Sequence, residues 1–306
     1  MHMDLSTGPG TGQVQVLPAR QAHPLIAGPQ AGEGAVTAVQ PLAISTAALG
    51  VVIVAGTLIV AIAVSVVARR RIPREPIEQS QDAVSVMFSA VGVLYTVLLA
   101  FLVVLVWEQF NAAQERTETE STKISNLLRD AVVFPRQDRD DIQCRLIAYT
   151  RSVVDDEWET MADGASSPVT GVKYRQVWAG YYRFRPQTDH QHDFYSESLG
   201  KLNELGESRR LRLISSAASI PSVMWILLVV GAVLTIGYLY LFAIPVPWLQ
   251  HLMIGSVAGL LAFILFMILA LDHPFSGDVK VTPDAYQSVL ASFEGGGYGG
   301  GDGRGC

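Results

Sequence analysis

The chain has 306 residues, half of them apolar, with only 16% charged and a net charge of −6. A soluble globular chain carries about 25% charged residues, and the deficit here lies in four long runs without any charge. No segment is basic enough to bind nucleic acid, and two cysteines, Cys144 and Cys306, cannot build a disulfide framework.

Residues 1–42 repeat Gly, Pro, Ala and Gln without periodicity, and their apolar content is too low to offset the entropy of ordering. They are expected to form a disordered N-terminal tail. The first apolar run, Ala43 to Ala68, ends on Arg69, Arg70 and Arg71. It exceeds the roughly 20 helical residues that cross a bilayer, and it lacks the basic start of a signal peptide. The second run, Ala83 to Val106, closes on Trp107 and Glu108, a sequence suited to the headgroup boundary. With a turn at 69–82 broken by Pro73 and Pro76, residues 43–106 read as a first transmembrane hairpin.

Residues 107–216 read as a helical soluble domain. Phe110, Ala113, Thr117, Ile124, Leu127, Leu128 and Ala131 form one apolar stripe at helical spacing, ended by Pro135. Ile142, Leu146, Tyr149, Val153 and Met161 form a second, ended at Gly164–Pro168. A third helix is predicted over Val172–Tyr182, and a fourth from about Phe194 onward. Asp189-His190-Gln191-His192-Asp193 has ligand types suited to a divalent ion. In a loop, however, its alternate histidines share no direction, and a solvated polar segment without metal is expected.

The third run starts near Ala217 with Pro221 in its first turns, and the fourth is Leu249 to Leu271. Pro245 and Pro247 forbid a continuous helix between them, so residues 217–271 form a second hairpin. No break separates Trp107 from the second run or Leu213 from the third, so both spans should leave the bilayer as continuous helices. Gly255 and Gly259 on the fourth run, and Ser85, Ser89 and Gly92 on the second, suit close helix packing. Residues 272–306 form a C-terminal segment ending in a flexible glycine tail from Gly295. The fold expected is an all-α membrane protein with four transmembrane helices in two hairpins and a helical domain between them.

No phosphate-binding loop, zinc-protease motif or nucleophile elbow occurs, which points away from an enzyme, and no cofactor is called for. No span carries a charge at mid-depth, which weighs against a proton-coupled carrier. A pore lined by apolar groups and gated by dewetting fits the composition.

The residues resemble a family at several places. These are residues 91–110 (VGVLYTVLLAFLVVLVWEQF), Asn203-Glu204-Leu205, Arg209-Arg210-Leu211-Arg212-Leu213, and Leu271-Asp272-His273-Pro274-Phe275-Ser276-Gly277. Over about residues 43–292 the chain resembles the bestrophin-like family of membrane proteins, which is remotely similar to the bestrophins, pentameric anion channels. The paired tryptophans and the arginine of the bestrophin motif are absent. Only Asp272 and Asp278 stand where an acidic calcium clasp would follow the fourth span, so calcium gating is not implied.

The resemblance implies a multi-pass protein of the cell membrane, a homo-oligomer in a lipid bilayer passing small anions, with the helical domain and both termini in the cytoplasm. It makes the second span the pore helix, and helical spacing then selects Phe88, Val91 or Gly92, Tyr95, Leu98 or Leu99, and Leu102 as its lining. Asp272, Pro274, Phe275 and Gly277 are expected to form a structural or functional turn, with Asp272 paired to Arg209 or Arg210, Pro274 stopping the helix and Gly277 taking positive φ. The rival reading is a non-conducting membrane scaffold or signalling protein whose helical domain binds a partner.

Overall fold

The computed structural model of the protein describes residues 46–71, 80–242 and 244–298. The expected disordered tail, residues 72–79 of the turn expected at 69–82, and the glycine tail beyond residue 298 with Cys306 lie outside them. Nine α-helices occur among the described residues: α1 (Thr46–Arg71), α2 (Gln81–Asp130), α3 (Arg136–Ser152), α4 (Trp158–Ala162), α5 (Pro168–Arg183), α6 (Asp189–Ala217), α7 (Ser222–Tyr240), α8 (Pro247–Leu271) and α9 (Asp284–Glu294). Four apolar stretches, on α1, α2, α7 and α8, are long enough to cross a membrane. The chain is an all-α membrane protein.

The partner of α1 in space is α8, its neighbour from the other end of the membrane region. The contact depends on absent side chains. A Cβ on Gly50 would come within 2.6 Å of the Phe266 ring, and one on Gly259 within 3.3 Å of Leu58. Small residues that let backbones approach substitute for the hydrophobic driving force, which lipid does not supply. α7 starts after Pro221, and α8 carries Pro247 in its first turn, where the missing N–H has no helical partner anyway.

As its sequence predicts, α2 runs 50 residues unbroken from the membrane into the helical body. The other passage differs from expectation. Helix α6 ends at Ala217, and Ala218 caps it in extended conformation. Helix α7 begins only at Ser222, with Pro221 as its cap rather than inside its first turns. Proline drives the residue before it out of the helical region, so the chain cannot pass through Ile220–Pro221 as a helix.

Outside the membrane, α2, α3, α5 and α6 enclose a core that includes Ile124, Leu127, Leu128, Ile142, Leu146, Ile147, Leu202 and Leu205. Two helices start earlier than the apolar spacing indicates. Ser167 caps α5 by accepting from Thr170 N–H, and Thr188 caps α6 by accepting from Gln191 N–H. The histidine segment at 189–193 is therefore the first turns of α6 and not a loop.

Helix α9 lies in the C-terminal segment, ahead of the glycine tail. It buries Tyr286, Val289 and Phe293 against the body. Beyond it, the Tyr298 hydroxyl meets the Ser125 hydroxyl at 3.1 Å, so the start of the glycine segment is docked.

The spans are held together where Gly231 of α7 faces Tyr95 of α2. The Tyr95 hydroxyl donates to the Leu228 carbonyl at 2.8 Å, and a Cβ on Gly231 would lie 2.4 Å from the ring. Gly231→Ala should therefore displace the ring and break that bond, destabilising the membrane bundle by about 1–3 kcal/mol. Detergent-phase melting checks this, and in a Tyr95→Ala background the same change should cost almost nothing.

Candidate functional site

Two features singled out by sequence, the second span and the turn after the fourth, come together with a third that spacing alone did not reveal. The membrane half of α2 has two unlike faces. Tyr95, Leu99, Leu102 and Val106 are buried against α7 and α8, in one cluster with Leu228, Ala232, Leu261 and Ile268. Phe88 stacks edge-on with Phe242 at 5.5 Å, and Val91, Gly92 and Leu98 are half-buried. The face that spacing selected for a pore is thus largely taken up by packing within the chain. The opposite face stays open: Leu94 and Phe101 are each 73% exposed, with Val97 and Leu105 between and below them. Past the apolar stretch the same stripe continues as exposed Glu108 and Glu115.

The turn after α8 ties three parts of the molecule together. Asp272 is 3% exposed, and one carboxylate oxygen accepts from Ile220 N–H at 2.7 Å. It thereby holds the break between α6 and α7, whose orphan N–H groups have no helical partner. Its expected pairing with Arg209 or Arg210 does not form, because Arg209 is engaged elsewhere and Asp272 serves the backbone instead. α8 ends at Leu271 with Asp272 as its cap, and Pro274 two residues on cannot continue the helix; its carbonyl accepts from Val281 N–H at 2.8 Å.

Phe275 is buried edge-on to Trp158 of α4 with ring centroids 5.5 Å apart. Gly277 takes φ +76°, and a Cβ there would press on the Thr46 hydroxyl at 3.1 Å. The next residue, Asp278, accepts from Thr46 N–H at 2.5 Å, while its own N–H donates to the Thr46 hydroxyl at 2.8 Å. A carboxylate at the start of α1 is where the helix dipole favours negative charge.

The third feature is a buried set of charges in the helical body. Arg212 on α6 is fully buried. Its Nε donates to Glu120 of α2 at 2.7 Å, and an Nη donates to Glu157 at 2.7 Å. Glu157 also accepts from Arg209 at 2.5 Å, and Glu120 from the Tyr149 hydroxyl at 2.5 Å. The Tyr286 ring of α9 lies 5.7 Å from the Arg212 guanidinium. Two carboxylates face two guanidinium groups, so the set is neutral. Burial pulls the Arg212 pKa down, but the Glu120 charge beside it prevails and holds it well above its ordinary value. Burial, with Glu120 next, pushes the Tyr149 hydroxyl well up, so it stays a donor.

Glu157 reaches this set because Val153–Glu157 forms one π-helical turn, which shifts the residues after it around the helix. Glu120 falls on the apolar stripe of Ala113, Thr117 and Ile124, and a charge on a core stripe was the available signal for it.

Two predictions follow from these contacts. Arg212→Met leaves Glu120 buried without a cation and Glu157 with Arg209 alone, and should destabilise the body by about 3–5 kcal/mol, read as loss of helicity in denaturant titrations. Asp272→Ala leaves a buried Ile220 N–H unpaired and should cost about 1–3 kcal/mol, whereas Asp272→Asn keeps an acceptor and should recover most of it in the same melting assay.

A model of the bestrophin-like domain matches residues 55–286. No curated protein matches the chain. Among solved structures, a bacterial bestrophin homologue from Klebsiella pneumoniae superposes with a TM-score of 0.61 at 15% identity, covering 81% of this chain and 99% of that one. A point variant of a membrane protein gives a TM-score of 0.62 at 15% identity over 79% of this chain and 97% of the other. At such identities the likeness is one of fold.

Proposed function

The chain belongs to the bestrophin-like family, and from that premise we propose that it is one subunit of a homo-oligomeric channel that passes small anions across the cell membrane. The observation that carries the reading is the two-faced α2. One face is locked to α7 and α8 through Tyr95, Leu99, Leu102 and Val106. The other, with Leu94, Val97, Phe101 and Leu105, is exposed among the described residues. Copies arranged about an axis would bring these free faces together into an apolar lining, and the packed face would fix each helix in place. A ring of such side chains excludes water when narrow, so the resting state is a dewetted constriction. The helical body and both termini belong to the cytoplasmic side in this reading.

One observation favours a different ion. The continuation of the free stripe carries Glu108 and Glu115, both exposed. Carboxylate rings at a pore mouth concentrate cations and repel anions. A cation channel of the same architecture is therefore the second reading.

Purified protein in planar bilayers, recorded under a salt gradient, separates the two by the sign of the reversal potential. Phe101→Ala should raise conductance at least severalfold if the free face gates the path, while Leu102→Ala should lower the melting temperature without changing selectivity. Glu108→Gln together with Glu115→Gln should leave an anion reversal potential nearly unmoved and shift a cation one toward zero. Background conductance from wild type and Phe101→Ala alike, in protein that remains oligomeric, would exclude the channel.

A further inference from the structure

A cavity of about 370 Å³ opens between the Gly164–Ser166 turn, Tyr174 of α5 and the last turns of α6 from Gly206 to Ala217. Its lining holds Arg209 and Arg210 and no carboxylate, in a chain whose net charge is −6. Arg210 is exposed and makes no ion pair among the described residues. Arg209 is held by Glu157 through one nitrogen and lies 5.7 Å from the centre of the Tyr174 ring, while its Nε is buried without a hydrogen-bond partner.

The rest of the lining along α6 is apolar: Leu213, Ile214 and Ala217, with Ile214 half exposed. Polar and apolar parts are ordered along the helix axis. The arginines lie farther from the membrane, and the apolar side chains lie next to the Ala218–Pro221 break that leads into α7. At 1.5 Å per residue, Arg210 stands about 10 Å above Ala217. The headgroup layer is about 5–7 Å deep on each face, so the arginine charges stand at its outer edge while the apolar side chains lie next to the hydrocarbon.

We propose that this cavity binds the headgroup of an anionic phospholipid, with the phosphate on Arg210 and the free edge of Arg209, and an acyl chain running down over Leu213, Ile214 and Ala217 toward α7. Phosphate suits guanidinium donors, and the apolar floor distinguishes a lipid from a soluble phosphate, which has no use for it. Lipid binding here is independent of whether the protein conducts.

The test uses the full-length protein in detergent, with its thermal shift and the bound lipid in native mass spectra measured against added phosphatidylglycerol, phosphatidylcholine and water-soluble glycerol 3-phosphate. Wild type should bind and be stabilised by phosphatidylglycerol selectively. Arg210→Gln should weaken that binding about fivefold, since a basic residue at the surface contributes about that factor. Ile214→Asp should abolish it with the fold intact by circular dichroism. Equal stabilisation by glycerol 3-phosphate would overturn the assignment to a lipid. So would a wild-type response in Arg210→Gln. Dissociation of the oligomer by Arg210→Gln with lipid binding unchanged would also overturn it, and would make the groove a contact between copies.

Discussion

Everything outside the membrane turns on the pairing of Arg212 with Glu120 and Glu157. The three side chains come from α6, from α2 and from the π-helical turn after α3, and all three are fully buried. A buried charge that loses its partner is far costlier than a broken apolar contact, so these elements have one acceptable register. Sliding α2 by one turn against α6 would strand the Glu120 carboxylate. The pairing thus sets the height at which the long helix leaves the body and enters the bilayer. The Tyr95–Leu228 bond does a similar task inside the membrane, where a lone tyrosine hydroxyl would otherwise lack a partner.

Between these two fixed points sits the turn from Asp272 to Asp278. It contacts the α6–α7 break through Ile220, the body through Trp158 and the start of α1 through Thr46. The clamp joins parts of the chain that are 232 residues apart, Thr46 and Asp278. Phe275 and Tyr286 both meet Trp158, with centroids at 5.5 and 5.8 Å. The segment after the last span is therefore built into the body rather than trailing from it.

How much of this the sequence disclosed follows from which forces leave a local pattern. Uncharged runs longer than a bilayer is thick are local, and the four spans were legible from them. Apolar spacing likewise marked Ile124, Leu127, Ile142 and Leu146. Four things escaped for physical reasons. Face assignment on α2 failed to separate packed from free, because in a span both faces are apolar and only the partner helix distinguishes Tyr95 from Leu94. The Glu120–Arg212–Glu157 set depends on three separate segments meeting, and a π turn breaks the very spacing used to read them. Helix α9 was hidden by the glycines that follow it, although Tyr286, Val289 and Phe293 carry a helical interval. The partner of Asp272 was sought among arginines, whereas a backbone N–H left open by Pro221 claimed it.

The unbroken course of α2 has a mechanical consequence. At 1.5 Å per residue its 50 residues make a rod about 75 Å long, with one end in the helical body and the other in the bilayer. A tilt of about 5° at the body would carry the far end of the membrane half, some 35 Å away, through about 3 Å, roughly the diameter of a water molecule. The parallel route through α6 and α7 is interrupted at Ala218–Pro221 and so is not a single rod. A displacement of the helical body thus reaches the membrane first along α2, and through its packed face passes on to α7 and α8.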